Sequence, residues 1–354
     1  MRVKPEIKKV ADIKVIGLGG AGGNTLNSMI KTQKIQGIEF IAVNTDAQAL
    51  STSEARTKIQ IGEKITGGLG SGGDPEIGER AAEESTEILR DRLAGSDMVF
   101  ITAGMGGGTG TGGAPIIAEV SKSLGALTVG VVTKPFEFEG TKRVENGMKG
   151  VQNLRDKVDA LIVIPNQKLL EIIERNTSIL EAFRLADSVL GQAVQGISDL
   201  IIAPGLVNVD FADVRTIMAN AGSAMMGIGE GSGEDKAATA AKTAVTSPLL
   251  EFSVDGATGI LLNIVGGPDL SMHEVDEAAR LISQASDPNA NIIFGASIDE
   301  EMKDEVRITV IATGFDLGSS GETDQGGLKK KEVKGFKEEE DEYEAPAFLR
   351  RLRK

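Results

Sequence analysis

Cysteine and tryptophan are absent from the 354 residues, histidine and tyrosine occur once each (His273 and Tyr343), and aromatic side chains make up 3%. Without cysteine there are no disulfides and no thiolate metal sites. A lone histidine leaves little room for a His-based triad or a zinc site, so any metal is expected to be bound by oxygen. His273, in His-Glu-Val-Asp-Glu, has no second ligand beside it and is expected on the surface. Positive charge is in the minority: 38 Lys and Arg against 52 Asp and Glu give a net charge of −14. That excludes the domain-wide basic face of a general nucleic-acid binder. No run approaches the ~20 apolar residues of a membrane span, and residues 1–12 lack the apolar core of a secretory leader, so the chain is expected to be cytoplasmic with no direct membrane insertion. With so few aromatics, a planar ligand would have to stack on one of the 11 phenylalanines.

Glycine is what the chain has in excess, 45 residues, and it is clustered. The densest cluster is 104–113, Gly-Met-Gly-Gly-Gly-Thr-Gly-Thr-Gly-Gly, between an apolar strand at 98–102 and a helix expected over 114–124 with Pro115 in its first turn. A glycine-rich strand-to-helix loop is an anion site: backbone can approach closely, N–H groups turn inward, and the helix adds the positive end of its dipole. Phosphate fits best, with Thr109 and Thr111 as hydroxyl donors. No Lys follows, so this is not the Gly-x-x-x-x-Gly-Lys-Ser/Thr loop. A second cluster, Gly17-Leu-Gly19-Gly20-Ala21-Gly22-Gly23-Asn24, follows a strand at 13–16 and precedes a helix expected over 24–33. Alone it matches the dinucleotide fingerprint, with Asp46 after the next strand, and leaves an NAD-dependent oxidoreductase open. A third, 67–75, contains Ser71 and Gly72 and ends in Asp74-Pro75, an N-cap and first-turn proline for a helix expected to reach Leu93. Apolar strands alternating with helices imply a parallel sheet covered on both faces, with all the glycine loops on one edge.

Residues 106–112, Gly-Gly-Gly-Thr-Gly-Thr-Gly, closely resemble the signature of the tubulin superfamily, and more narrowly of the FtsZ family of bacterial cell-division GTPases. The resemblance spans roughly 13–315 and the final peptide. It implies a Rossmann-like parallel-sheet GTPase domain joined by a long central helix to a smaller α/β domain. It places GTP or GDP on Gly19, Gly20, Ala21, Gly22, Gly23, Asn24, Asn44, Ser71, Gly72, Gly104, Gly106, Gly107, Gly108, Thr109, Gly110, Thr111 and Gly112. Glu139 and Arg143 would hold the ribose. Phe183 would stack on the base, Asp187 would accept guanine's N–H groups, and Asn24 and Asn166 would add base contacts. Without the resemblance, Glu139 and Arg143 read as an exposed i,i+4 pair and Phe183 as core.

Residues 178–204 read as the longest helix, opened by a Ser178/Glu181 capping box and apolar on several sides, hence buried between two layers. The loop after it carries Asn208, Asp210 and Asp213. At about 1.5 Å per residue the helix sets this loop roughly 25 Å from Asp187. The acids are therefore out of reach of the phosphates of their own molecule. In the family the acidic loop of one subunit completes the site of the next, so the resemblance implies head-to-tail homopolymers, with Asp210 and Asp213 acting on the attacking water, Asn208 positioning it, and Mg²⁺ offsetting phosphate charge. Simple N-capping by Asp210 stays open, as does a nucleotide-binding regulator that neither hydrolyses nor polymerises.

The expected divisions are a tail (1–12), a GTP-binding domain (13–177), the central helix (178–204), the acidic loop and next helix (205–220) and a four-stranded, two-helix domain (221–315). A polar linker (316–342) and a partner-binding peptide (343–354) follow. The last resembles the family peptide that docks on membrane-tethering division proteins through Pro346, Phe348, Leu349 and Arg350, at the division site at midcell.

Overall fold

Near-continuous apolar strands separated by amphipathic helices give an α/β layer structure when each strand returns in parallel through a helix. The computed structural model describes residues 11–32, 37–171, 173, 176–202, 205–207, 209–250, 254 and 256–315. Its first half runs β1 (Ile13–Leu18), α1 (Gly19–Thr32), β2 (Ile38–Asn44), α2 (Ala47–Ser51), β3 (Thr57–Gln60), α3 (Glu63–Thr66), α4 (Pro75–Glu84), α5 (Thr86–Leu93), β4 (Met98–Gly104) and α6 (Thr109–Ser123). Then come β5 (Leu127–Lys134), α7 (Thr141–Arg155), β6 (Ala160–Pro165), α8 (Asn166–Leu169), α9 (Ile179–Ile202) and α10 (Phe211–Met218). The second half holds β7 (Gly222–Ser232), α11 (Lys236–Val245), β8 (Gly259–Gly266), α12 (Met272–Gln284), β9 (Asn291–Ile298) and β10 (Glu305–Thr313).

The strand order is β3-β2-β1-β4-β5-β6-β7-β10-β8-β9. Pairing is parallel from β3 through to β7, antiparallel on both sides of β10, and parallel again between β8 and β9. One strand joins the halves. Gly222, Ser223 and Ala224 of β7 pair with β6, while Met225 to Ser232 pair with β10.

Period-2 alternation sorts the strand side chains onto two cores. Met98 and Phe100 of β4 pack with α1 and α9, whereas Val99, Ile101 and Ala103 pack with α4 to α6. The central helix α9 is buried along Ala186, Leu190, Ala193 and Ile197, and a Cβ on Gly196 would stand 3.1 Å from Thr309 of β10. It lies between the layers, as its apolar girth predicts. The Ser178/Glu181 capping box forms, with Ser178 N–H donating to Glu181 at 2.8 Å and Glu181 N–H to Ser178 Oγ at 3.2 Å. His273 is exposed.

Three helix boundaries depart from the sequence reading. The helix expected from Asp74 to Leu93 is two, divided at Ser85, whose buried hydroxyl leaves the helical pattern to accept from Gly62 N–H at 3.1 Å. Both glycine-rich helices start early, α1 at Gly19 instead of Asn24 and α6 at Thr109 instead of Ala114, so Pro115 lies inside α6. Tertiary contact outweighs the poor helix propensity of glycine there. A Cβ on Gly22 would lie 2.4 Å from Thr102 O, and one on Gly112 would lie 1.9 Å from Pro75 O. These glycines let α1 press on the sheet and α6 on α4.

Candidate functional site

Because β1, β2, β4 and β5 run in parallel, the segments after them emerge on one edge of the sheet. They enclose an open cavity of about 700 Å³. Gly19, Gly20 and Ala21 come to it from the start of α1, Asn44 from the end of β2, Ser71 and Gly72 from the segment before α4. Gly104, Gly106, Gly107, Gly108, Thr109 and Gly110 come from the turn between β4 and α6, and Glu139 and Arg143 from the turn before α7 and its first residues.

Packing accounts for three of these glycines. A Cβ on Gly104 would lie 2.6 Å from Ala21 Cβ, on Gly106 2.5 Å from Arg143 O, and on Gly108 2.2 Å from Ser71 Oγ. Gly20 and Gly107 are different. Neither has a positive φ and neither would bring a Cβ within 4 Å of anything. Both line the cavity, so their bareness serves whatever enters it. What enters should be an anion: α1 and α6 both begin at the cavity, neither has an acidic residue in its first turn, and α6 has glycine, Gly108, at its N-cap, with no side chain to occupy its first N–H groups. Two helix N-termini thus present unopposed N–H groups and dipole ends to one space.

Hydroxyls hold the rim together. Thr109 Oγ1 lies 2.7 Å from Thr45 Oγ1 and 3.0 Å from Ser71 Oγ, all three buried, which ties the turns after β2, before α4 and before α6 to one point. Thr111, read from the sequence as a ligand donor, accepts from Gly106 N–H at 2.8 Å, a bond that shapes the turn and leaves its own O–H proton to donate. Glu139 accepts from Phe136 N–H at 2.9 Å and pairs with Arg143 at 3.0 Å.

The comparisons with known proteins agree with this geometry. Residues 12–174 match the model of the Tubulin/FtsZ family GTPase domain, and residues 222–316 that of the FtsZ family C-terminal domain. An FtsZ dimer from M. jannaschii is similar at 49% identity and TM-score 0.84, covering 88% of this chain and 93% of that one. The chain belongs to the FtsZ family. A point mutant of FtsZ from the same organism is similar at 50% identity and TM-score 0.83, over 87% and 92% of the two chains. CetZ1 from Haloferax volcanii, at 21% identity and TM-score 0.74 over 86% and 94%, shares the fold. Membership of this family of GTP-binding GTPases leaves the oxidoreductase reading without support. That reading rested on Gly17, Gly19 and Gly22; a Cβ on Gly17 would lie 2.5 Å from Gly22 O, a close approach that a dinucleotide fold would share.

Other residues that the FtsZ resemblance singled out lie outside the main cavity. Gly23 and Asn24 line an adjoining hollow of about 110 Å³, and Thr111 and Gly112 a neighbouring groove. Gly22 is held against the sheet. Asn166 is buried at the start of α8, and its Oδ1 has no hydrogen-bond partner. Phe183 is 38% exposed and meets Phe136 edge-on at 5.4 Å. Asp187, one turn further along α9, accepts from Thr25 Oγ1 at 2.6 Å. Burial raises this carboxyl from 3.8 to about 6 against the pull of that hydrogen bond, and burial also raises Asp199 to about 6. A folded state that holds these protons more tightly than the unfolded chain gains stability at low pH. A contribution of up to about 3 kcal/mol each, present below pH 3.8, should therefore be lost as pH rises through 6. Urea midpoints at pH 4 and pH 7 for Asp187→Asn and the parent would test this: the pH-dependent gap should shrink in the variant.

Asp210 and Asp213 lie at the opposite edge of the sheet. Two residues beyond Asp213, Arg215 donates to Gly125 O at 2.9 Å, just ahead of β5, whereas the cavity opens beyond the far end of β4. The seven residues of β4 set these edges roughly 23 Å apart. Asp210 occupies the N-cap of α10 without a side-chain cap bond, contrary to the simple capping role, and both acids are exposed. Asn208 and the peptide with Pro346, Phe348, Leu349 and Arg350 lie outside the described residues.

Sequence reasoning missed Thr25 and, on the cavity wall, Thr45, Lys142 and Asn146. Lys142 carried a signal, a cation beside Arg143 at a helix start. Thr25 carried none, since its partner is 162 residues away.

Proposed function

We propose that this FtsZ-family protein hydrolyses GTP at the junction of two head-to-tail copies and that the resulting filaments form the cytokinetic ring at midcell. One observation carries the reading: the phosphate-type cavity opens at one edge of the sheet and the exposed, uncommitted Asp210 and Asp213 stand at the other. A copy stacked on the next in the same orientation brings the two edges together, and a heterologous contact that does not close propagates as a filament. The dimer form of the M. jannaschii relative supports self-association.

In this reading the N-termini of α1 and α6 and the bare backbone at Gly20 and Gly107 hold the phosphates, while Glu139 and Arg143 hold the ribose. Phe183 stacks on the base, and Asp187 and Asn166 read guanine's edge. Asp210 and Asp213 of the neighbouring copy orient and polarise the water, and Asn208 helps to place it. Among the described residues no group of three or more His, Cys, Asp or Glu side chains is placed to hold a metal, so Mg²⁺ would sit on phosphate oxygens and water, where it supplies charge neutralisation. No described helix is long and apolar enough to cross a membrane. Attachment is assigned to the C-terminal peptide, Pro346 to Arg350, folding into a groove on a membrane-tethering division protein.

The test is GTP hydrolysis per molecule against protein concentration with Mg²⁺ present. A specific rate near zero when dilute that climbs past a threshold is the expected result. A rate independent of concentration would put the whole site in one copy, and no hydrolysis would return the non-hydrolysing regulator.

Binding should also follow pH. Protonated Asp187 offers guanine a donor where an acceptor is needed, so GTP affinity should hold above pH 7 and fall as pH drops through about 6. Calorimetric titration at pH 5.5 and 7.5 checks it; equal affinities would remove Asp187 from base recognition.

A further inference from the structure

Thr25 sits in α1, directly after Asn24 at the end of the glycine-rich cluster, with none of its surface exposed. Its hydroxyl has two acceptors in reach, Ala21 O at 3.1 Å and Asp187 Oδ1 at 2.6 Å. One proton cannot serve both fully. The shorter, charge-assisted contact to the carboxylate takes it, and the carbonyl four residues back remains the alternative when the carboxyl is protonated. No other hydrogen bond or ion pair holds Asp187 among the described residues. The cations of α1 and α8 are engaged elsewhere, Lys31 with Glu54 and Lys168 with Glu171.

We propose that Thr25 is a positioning residue for guanine selectivity, its hydroxyl fixing the Asp187 carboxylate so that its free lone pairs face the N–H groups of the base. The proposal rests on the reading of Asp187 as the base-reading acid. A carboxylate has about four acceptor sites, and Thr25 occupies one of them on Oδ1. That restrains rotation about the carboxyl bond and leaves acceptor capacity on both oxygens. The hydrogen bond also favours the ionised form against burial, so it keeps an acceptor available near neutral pH. Without the hydroxyl, the carboxylate loses its anchor and its proton affinity rises.

The experiment is calorimetric binding of GTP and of inosine triphosphate, which lacks guanine's exocyclic amine, to the full chain carrying Thr25→Val, Thr25→Ser or Asp187→Asn, from pH 5.5 to 8. Thr25→Val should lower the GTP-to-inosine-triphosphate preference about tenfold and move the pH midpoint of GTP binding upward, while Thr25→Ser should keep both at parent values. If the valine variant does not fold, Thr25→Ala removes the same hydroxyl without crowding the site. A preserved preference and midpoint in the hydroxyl-free variants, with loss in Asp187→Asn, would overturn the role of Thr25 alone. Loss in Thr25→Ser equal to that in Thr25→Val would assign the effect to packing and overturn it too. An unchanged preference in Asp187→Asn would instead remove the base-reading role of the acid itself, and the proposal with it.

Discussion

Replacing Asp213 by alanine should lower GTP turnover by roughly 10²- to 10⁴-fold and leave GTP affinity unchanged. Asp213 is exposed, and in its own molecule it stands beyond the far end of the sheet from the cavity. It can be lost without disturbing either fold or ligand. The stronger form of the test mixes two impaired proteins, at a GTP concentration that fills the parent site but not that of Gly107→Ala. Asp213→Ala keeps an intact cavity, and Gly107→Ala keeps an intact acidic loop. If sites form between copies, a one-to-one mixture should recover turnover at about a quarter of junctions, since one ordered pairing in four joins a sound cavity to a sound loop. A mixture as inactive as its components, although it sediments as filament, would place catalysis within one copy. Tight GTP binding lost in Asp213→Ala would show that the acid belongs to the binding site.

The second large effect separates two glycines five residues apart in one motif. Gly112→Ala should damage the fold. Its Cβ would fall 1.9 Å from Pro75 O and 2.6 Å from Glu79 N, both backbone atoms of α4. No rotamer change relieves a backbone clash, so α4 and α6 must part. The usual 1–3 kcal/mol of overpacking lowers the melting temperature by about 2–12 °C in a domain of this size. Gly107→Ala should melt with the parent, because its Cβ meets nothing within 4 Å. Its GTP affinity should nevertheless fall by on the order of a hundredfold, or ~2.7 kcal/mol. Calorimetric melting with nucleotide binding on both variants gives the answer. A Gly107→Ala protein that binds GTP like the parent would mean that the ligand does not approach this backbone, and the cavity assignment would fail.

The glycine motif shows where reading the chain stops. Its composition pointed to an anion site, and the two bare positions at the cavity, Gly20 and Gly107, fit that. Gly22, Gly104, Gly108 and Gly112 are spaced no differently in the sequence, yet each is required because a neighbouring backbone or side chain comes too close for a Cβ. The same limit hid the early starts of α1 and α6. Local propensity disfavours a glycine helix, and contact with α4 or the sheet is what overrides it.

Legible in the chain before any contact is known are the alternation of strands with helices, the parallel sheet with its glycine-rich clusters on one edge, and the long helix that begins near Ser178. Those follow from hydrophobic period, chain direction and rise per residue, which are local properties. Packing between the layers settles which glycines face the cavity and which face protein. It alone joined the hydroxyls of Thr45, Ser71 and Thr109 at one point, and set Thr25 against Asp187 across 162 residues. Contacts of that separation are chosen by how the layers close on each other, and no window of sequence contains both partners.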